Sequence, residues 1–307
     1  MQVPTNSSKE TPLFVLILPK DSELEIDDRI LEHYLSLLPP GAPPSGFSQA
    51  SVRDQICGLG LPTRQPPTKS FITHLWEPKF SAEGSDDDID LSSFQTTTLH
   101  ESRTTIESGT TGLRTWGASL RLAEYLIAHP DSIRNRRILE LGSGIGFLGI
   151  IVASLQQLLH GVSSLWLTDV NEDVLSRCRR NFSLECNLSS KHPDVHYMTL
   201  DWFDALEDEQ GGLHSLLRDC SPEVILGADI ASTFPSPLLS LASPTPTAII
   251  ALTVRNEETY LSFLSAVKGR DIQVEETIFE CKAPLFIETV EASAARDNVK
   301  ILNLTLA

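Results

Sequence analysis

The sequence predicts an α/β fold, a mainly parallel sheet with helices on both faces, preceded by an N-terminal appendage. Three observations carry that prediction. From residue 137 onward, short apolar runs alternate with stretches of helical periodicity. The first run leads straight into a glycine-rich turn, Gly142-Ser143-Gly144-Ile145-Gly146. The chain also changes character near residue 92, from proline-punctuated and acidic to regularly patterned.

Residues 1–92 are accordingly read as a variable N-terminal region, partly helical and loop-rich, and 93–307 as the main domain. In the first part, residues 31–38 have helical spacing and stop at Pro39-Pro40. Pro43-Pro44 and Pro66-Pro67 punctuate a loop-rich stretch beyond them, and Gly84-Ser85-Asp86-Asp87-Asp88 reads as a solvated acidic loop. In the second part, 94–100 and 104–108 are rich in Thr and suit a β-hairpin. Residues 116–128 place Leu120, Leu122, Ala123 and Leu126 at helical spacing, and Pro130 ends the run. Strands are then predicted at 137–141, 164–169, 195–201, 224–229 and 248–254, with helices at 146–159 and 171–187. Residues 272–279 and 299–306 are expected to close the sheet as an antiparallel pair. Short apolar strands alternating with helices imply a sheet buried on both faces. Ligands of such sheets sit beyond the carboxyl ends of the strands.

The 307 residues are 41% hydrophobic and 21% charged, the mix of a soluble globular protein able to bury a core without staples. Acidic residues outnumber basic ones 41 to 24, a net charge of −17. That balance disfavours gripping a phosphate backbone, so no nucleic-acid partner is expected. It serves solubility or attracts a basic protein surface. Cys57, Cys178, Cys186, Cys220 and Cys281 are odd in number, scattered and without a CxxC pair. This argues against a disulfide framework and against a zinc site, and no metal is expected. No apolar run reaches membrane-spanning length, and the run at 13–18 follows no basic segment of a signal peptide. The expected location is cytoplasmic, away from membranes.

The strongest local feature is a strand, a glycine turn and a helix in succession, from Ile138 to Gly149. Gly142 and Gly144 remove side chains where a ligand must approach the backbone. The helix after the turn presents free N–H groups to a carboxylate or a phosphate. Gly144, Gly146 and Gly149 formally match the dinucleotide fingerprint, which alone is weak. That fingerprint starts at the strand end, whereas here Gly142 comes first and Glu140 lies two places before it. The second predicted strand ends in Asp169, an acceptor for ribose hydroxyls in either class of adenosine ligand. The third ends in Leu200-Asp201-Trp202, a carboxylate and an indole able to bracket an adenine. The ends of strands one to three thus supply a carboxylate- or phosphate-binding turn, a ribose acceptor and an adenine bracket in chain order.

The Glu140-to-Gly146 arrangement resembles motif I of the seven-strand methyltransferases, and the wider sequence resembles the protein-lysine members. Within these it is most similar to the eukaryotic group that methylates elongation factor 2. The resemblance rests on several segments. These are Ser108 to Trp116 with Leu122-Ala123-Glu124, Leu139 to Gly144, Leu200-Asp201-Trp202, Gly227-Ala228-Asp229, Leu252 to Thr259, and Leu302 to Leu306. They span residues 104–307, and Thr253-Val254-Arg255-Asn256 with Glu258-Thr259 is among the most specific.

The resemblance implies a Rossmann-like seven-stranded sheet and S-adenosyl-L-methionine as cofactor. It implies that Trp116 covers the cofactor and that Gly142, Ser143 and Gly144 line its methionine part. Asp169 would bind the ribose, and Trp202 and Ala228 would flank the adenine and the sulfonium. The implied partner is a protein substrate, elongation factor 2, approached by a monomeric enzyme. Asp229, at the end of the fourth strand, is the expected catalytic residue, a carboxylate placed to orient the acceptor amine. The family carries D-x-x-Y here, whereas this chain reads Asp229-Ile230-Ala231-Ser232. That departure motivates an alternative, a cofactor-binding protein with an impaired acceptor site.

Overall fold

The computed structural model describes residues 13–17, 69–78, 94–102, 106–107, 109–201, 212–230, 239, 242, 245–279, 286 and 298–307. The strands in chain order are β1 (Leu13–Ile17), β2 (Lys69–Trp76), β3 (Gln95–Ser102), β4 (Ile138–Leu141), β5 (Leu165–Asp169), β6 (Val195–Thr199), β7 (Val224–Ala228), β8 (Thr247–Thr253), β9 (Ile272–Thr277) and β10 (Val299–Leu306). The helices are α1 (Gly117–Ala128), α2 (Phe147–Leu158), α3 (Glu172–Phe182), α4 (Gly212–Cys220) and α5 (Glu257–Lys268).

Seven strands form one sheet in the order β6-β5-β4-β7-β8-β10-β9. All neighbours from β6 to β8 are parallel, and β10 runs antiparallel to both β8 and β9. This is the Rossmann-like seven-stranded architecture expected from the sequence. The strand order reverses at β4, between β5 and β7. The carboxyl ends of these three strands therefore diverge around one crevice, the place where open α/β sheets bind ligands.

Alternation along each strand feeds two cores. Ile138 on β4, Ile249 and Ala251 on β8 and Ile301 on β10 face α1, α2 and α3. Leu139, Leu141, Ala248, Ile250, Leu252, Leu302 and Leu304 face α4 and α5. Neither α4 nor α5 is anticipated from the sequence pattern. In α5, Asn256 caps the helix by accepting the Glu258 N–H at 2.8 Å, so the Thr253-to-Thr259 segment is a strand end joined to a helix start.

β1, β2 and β3 form a separate sheet, with β1 parallel and β3 antiparallel to β2. The second arm of the expected hairpin of 94–100 with 104–108 lies largely outside the described residues. β3 lies along β2 from Lys69↔Ser102 to Trp76↔Gln95. Its buried threonines find hydroxyl and indole partners there, Thr98 with Thr73 at 2.9 Å and Thr97 with Trp76 Nε1 at 3.1 Å. Of 104–108, only 106–107 are among the described residues. The predicted helix at 31–38 also lies outside them.

The small sheet packs over α2 and α3, tied by side-chain amides of α3 and the turn after it. Asn187 Oδ1 accepts the Thr98 N–H at 2.7 Å, and Asn181 Oδ1 accepts the His100 N–H at 2.9 Å. Covered on that side too, α2 is buried at ten consecutive positions from Phe147 to Gln156.

Candidate active site

The β4–α2 turn is built by glycines that take left-handed backbone angles. Gly142 has φ 66°, Gly144 55° and Gly146 93°. The turn is tied to β5, since Ser143 N–H donates to the Thr168 carbonyl at 2.8 Å and Thr168 N–H donates to Ser143 Oγ at 3.1 Å. A Cβ on Gly144 would lie 3.3 Å from the Gly112 carbonyl, and one on Gly146 2.8 Å from Cys178 Sγ. Two loops thus meet backbone to backbone at Gly144.

A cavity of about 320 Å³ opens over this turn. Trp116, Gly142, Ser143, Gly144, Asp169, Ala228 and Asp229, all named from sequence, line it together. Trp202 lies outside the described residues, as does Ser232.

Asp169 is buried at the tip of β5. Its Oδ2 accepts the Gly144 N–H at 3.1 Å and its Oδ1 the Asn171 N–H at 3.0 Å. Burial raises its pKa, while the N–H donors of Asn171, Gly144 and Val170 pull the other way. A carboxylate has about four lone-pair sites, so these N–H contacts leave capacity for a ligand hydroxyl.

Glu140 is a cavity residue that the sequence marks only as part of a motif. It is 3% exposed in the middle of β4, and burial pushes its carboxyl up to about 8. The Ser143 hydrogen bond opposes that shift and the Asp169 charge adds to it. Among the described residues its Oε2 has no hydrogen-bond partner. A buried carboxyl oxygen without a donor is a costly arrangement.

Trp116 stands at the N-cap of α1, half-buried, and its Nε1 donates to the Thr111 carbonyl at 3.0 Å. The guanidinium carbons of Arg114 and Arg255 lie 5.3 Å and 5.7 Å from its ring centroid. Asp229 follows β7 with φ 56°, a left-handed conformation that Asp tolerates better than most residues. Its Oδ1 accepts the Thr253 N–H at 2.8 Å and its Oδ2 pairs with Arg255 Nη2 at 3.1 Å. Sequence alone does not single out Arg114 or Arg255 as site residues. The signal for Arg255 is its place in the distinctive Thr253-to-Thr259 segment.

Comparison with known proteins places this geometry. The profile of the lysine methyltransferase family matches residues 94–270, from β3 to just past α5. The chain belongs to the lysine methyltransferase family. It is 35% identical over 195 residues to the protein-lysine N-methyltransferase EFM3 of Chaetomium thermophilum, a match covering 59% of this chain and 54% of that protein. It is 32% identical over 229 residues to the human protein-lysine N-methyltransferase EEF2KMT, covering 68% of this chain and 64% of that one. The match therefore spans less than two thirds of either relative. Among the described residues no helix is long and apolar enough to cross a membrane, and no His/Cys/Asp/Glu group is arranged to hold a metal ion.

Proposed function

We propose that this family member transfers a methyl group from S-adenosyl-L-methionine to a lysine ε-amine of another protein, with elongation factor 2 as the substrate. The single observation that carries the cofactor half is the cavity at the β4 switch point. There Glu140, the glycine turn and Asp169 line one space. Its volume of about 320 Å³ falls within the roughly 300–1,000 Å³ usual for small-molecule sites. The relatives named as protein-lysine methyltransferases support the acceptor half, and EEF2KMT among them supports elongation factor 2.

In this reading Gly142, Ser143 and Gly144 hold the methionine end, with its ammonium against Glu140. Asp169 takes the ribose hydroxyls, Ala228 lies against the cofactor, and Trp116 closes the site over it. Trp202 is placed beside the adenine from the sequence alone. Bound there, the cofactor supplies an electrophilic methyl on a sulfonium, a good leaving group.

The protein's task is then alignment and deprotonation. A lysine amine has a pKa near ~10.4 and attacks only when neutral. Desolvation against Trp116 favours the neutral form, and the released proton passes to water. Asp229 accepts a hydrogen bond from the amine and fixes the direction of its lone pair. The half-buried Thr253 N–H contact holds that carboxylate still while it does so. The protein is placed in the cytoplasm, where elongation factor 2 works, and is expected to act as a monomer.

The test pairs two measurements on the full chain. Calorimetry with S-adenosylmethionine and with NAD should show binding of the first alone. Labelled methyl transfer to unmethylated elongation factor 2 should follow with wild type and fall about a hundredfold or more in Asp229→Asn. Binding of NAD in preference to S-adenosylmethionine would overturn the cofactor half. Full turnover by Asp229→Asn would remove Asp229 from its role.

A further inference from the structure

A second cavity, of about 220 Å³, opens on the other side of Asp229. Leu252, Val254, Thr259 and Tyr260 form its walls, from the end of β8 and the first turn of α5. Asp229 and Arg255 belong to both cavities and stand at their common boundary. The segment Thr253 to Thr259, among the most specific of the resemblance, therefore encloses a space of its own beside the cofactor cavity.

The two charged residues at the boundary are held very differently. Asp229 is fixed at 17% side-chain exposure by the Thr253 N–H at 2.8 Å, and its own N–H donates to the Ala251 carbonyl at 2.9 Å. Arg255 is 66% exposed, and its guanidinium is held by the 3.1 Å pair to Asp229 Oδ2 and by its position over the Trp116 ring. An ion pair with one partner that exposed contributes little, because solvent and side-chain entropy offset its attraction. The carboxylate is thus permanent and its cation replaceable. A carboxylate and an aromatic face are also what an alkylammonium group seeks.

We propose that the smaller cavity receives the side chain of the acceptor lysine, whose ammonium displaces Arg255 from Asp229 on entry. This rests on the lysine-methylation reading above. The unbranched methylene stem lies against Leu252, Val254 and Tyr260. The charged end arrives at the boundary where the transferable methyl has to be. Arg255 is a positioning residue in this scheme. It keeps the Asp229 carboxylate paired until an amine of the right reach replaces it, and a shorter or neutral side chain cannot compete for the site.

The probe is n-butylammonium, the reactive end of lysine, titrated into the full-length protein without cofactor. The Arg255 Nε resonance, assigned by its loss in Arg255→Lys, and the Thr253 backbone amide report the contact. Both should shift saturably with n-butylammonium and stay unmoved by n-butanol. In Asp229→Asn the Thr253 response should be lost. In Arg255→Gln the Thr253 response should remain and half-saturate at roughly two- to fivefold lower amine, the worth of one exposed ion pair. A Thr253 amide that does not respond to n-butylammonium, or responds equally in Asp229→Asn, overturns the proposal. So does Arg255→Gln with weaker amine binding than wild type. Calorimetry with S-adenosylmethionine on the same preparation reports the cofactor site separately, so failure of the amine pocket and failure of the methyltransferase reading give different results.

Discussion

Glu140→Gln is the substitution that probes the site's stored cost. Burial lifts the Glu140 carboxyl from its ordinary 4.5 to about 8. Between those values the folded chain keeps a proton that the unfolded chain gives up. Stability is therefore greatest below about pH 4.5 and is lost as pH rises toward about 8. At about 1.4 kcal/mol per unit, the cost is about 1 kcal/mol near pH 5, about 3 near pH 7 and about 4 near pH 8. Glutamine has nearly the same shape and no proton to lose. The variant should therefore gain about 3–4 kcal/mol on wild type between about pH 5 and pH 8. Urea unfolding of the cofactor-free chain at both pH values, with tryptophan fluorescence as the probe, reads this directly. The same variant should bind S-adenosylmethionine about 10- to 100-fold more weakly, because the methionine ammonium draws the wild-type carboxyl into its ionised form on binding and that charge-assisted contact is lost. A difference between wild type and variant that is flat with pH would mean the carboxyl is solvated, and would refute the reasoning.

Other outcomes rest on individual contacts. His74 is 3% exposed, neither ring nitrogen has a hydrogen-bond partner among the described residues, and burial lowers its pKa from 6.5 to about 3. The unfolded chain alone takes up that proton below about 6.5, so stability present above that pH is lost as pH falls toward about 3. His74→Phe should flatten this acid limb in thermal melts recorded across that range. Asn187 makes three buried hydrogen bonds, with the Thr98 N–H at 2.7 Å, the Thr98 carbonyl at 2.8 Å and the Asn181 carbonyl at 2.9 Å. Asn187→Leu should destabilise by about 2–4 kcal/mol and speed amide exchange in β3 before the main sheet loosens. Gly144→Ala strains a φ of 55° and meets the Gly112 carbonyl at 3.3 Å, so cofactor affinity should fall about tenfold or more by calorimetry.

The seven-stranded sheet is legible in the sequence because its strands are short, apolar and separated by helical periods. Even the late antiparallel pair is placed within a few residues. What escapes is structure whose sequence lacks that contrast. β2 reads Lys-Ser-Phe-Ile-Thr-His-Leu-Trp, and its buried His74 and Thr73 blur the alternation. The β2 partner of β3 stays hidden for that reason, since pairing across a long sequence gap leaves no local mark. That Asp229, Asp169 and the glycine turn stand at strand ends is legible, because strand ends can be counted. The left-handed turn at Asp229 and its pairing with Arg255 are not, because both depend on β7 and β8 lying side by side. Glu140 carries a readable warning, one acidic residue inside the run Ile138-Leu139-Glu140-Leu141, buried at all four positions. Its meaning emerges only with the cavity over it.

The most direct measurement is mass spectrometry of lysine peptides from recombinant, unmethylated elongation factor 2 after incubation with the full chain and S-adenosylmethionine. Methyl masses should be confined to lysine, with Asp229→Asn leaving the peptides largely unmodified while still binding cofactor. Cofactor binding by wild type with no lysine methylated would contradict the central claim, and would leave the chain a cofactor-binding protein without a working acceptor site.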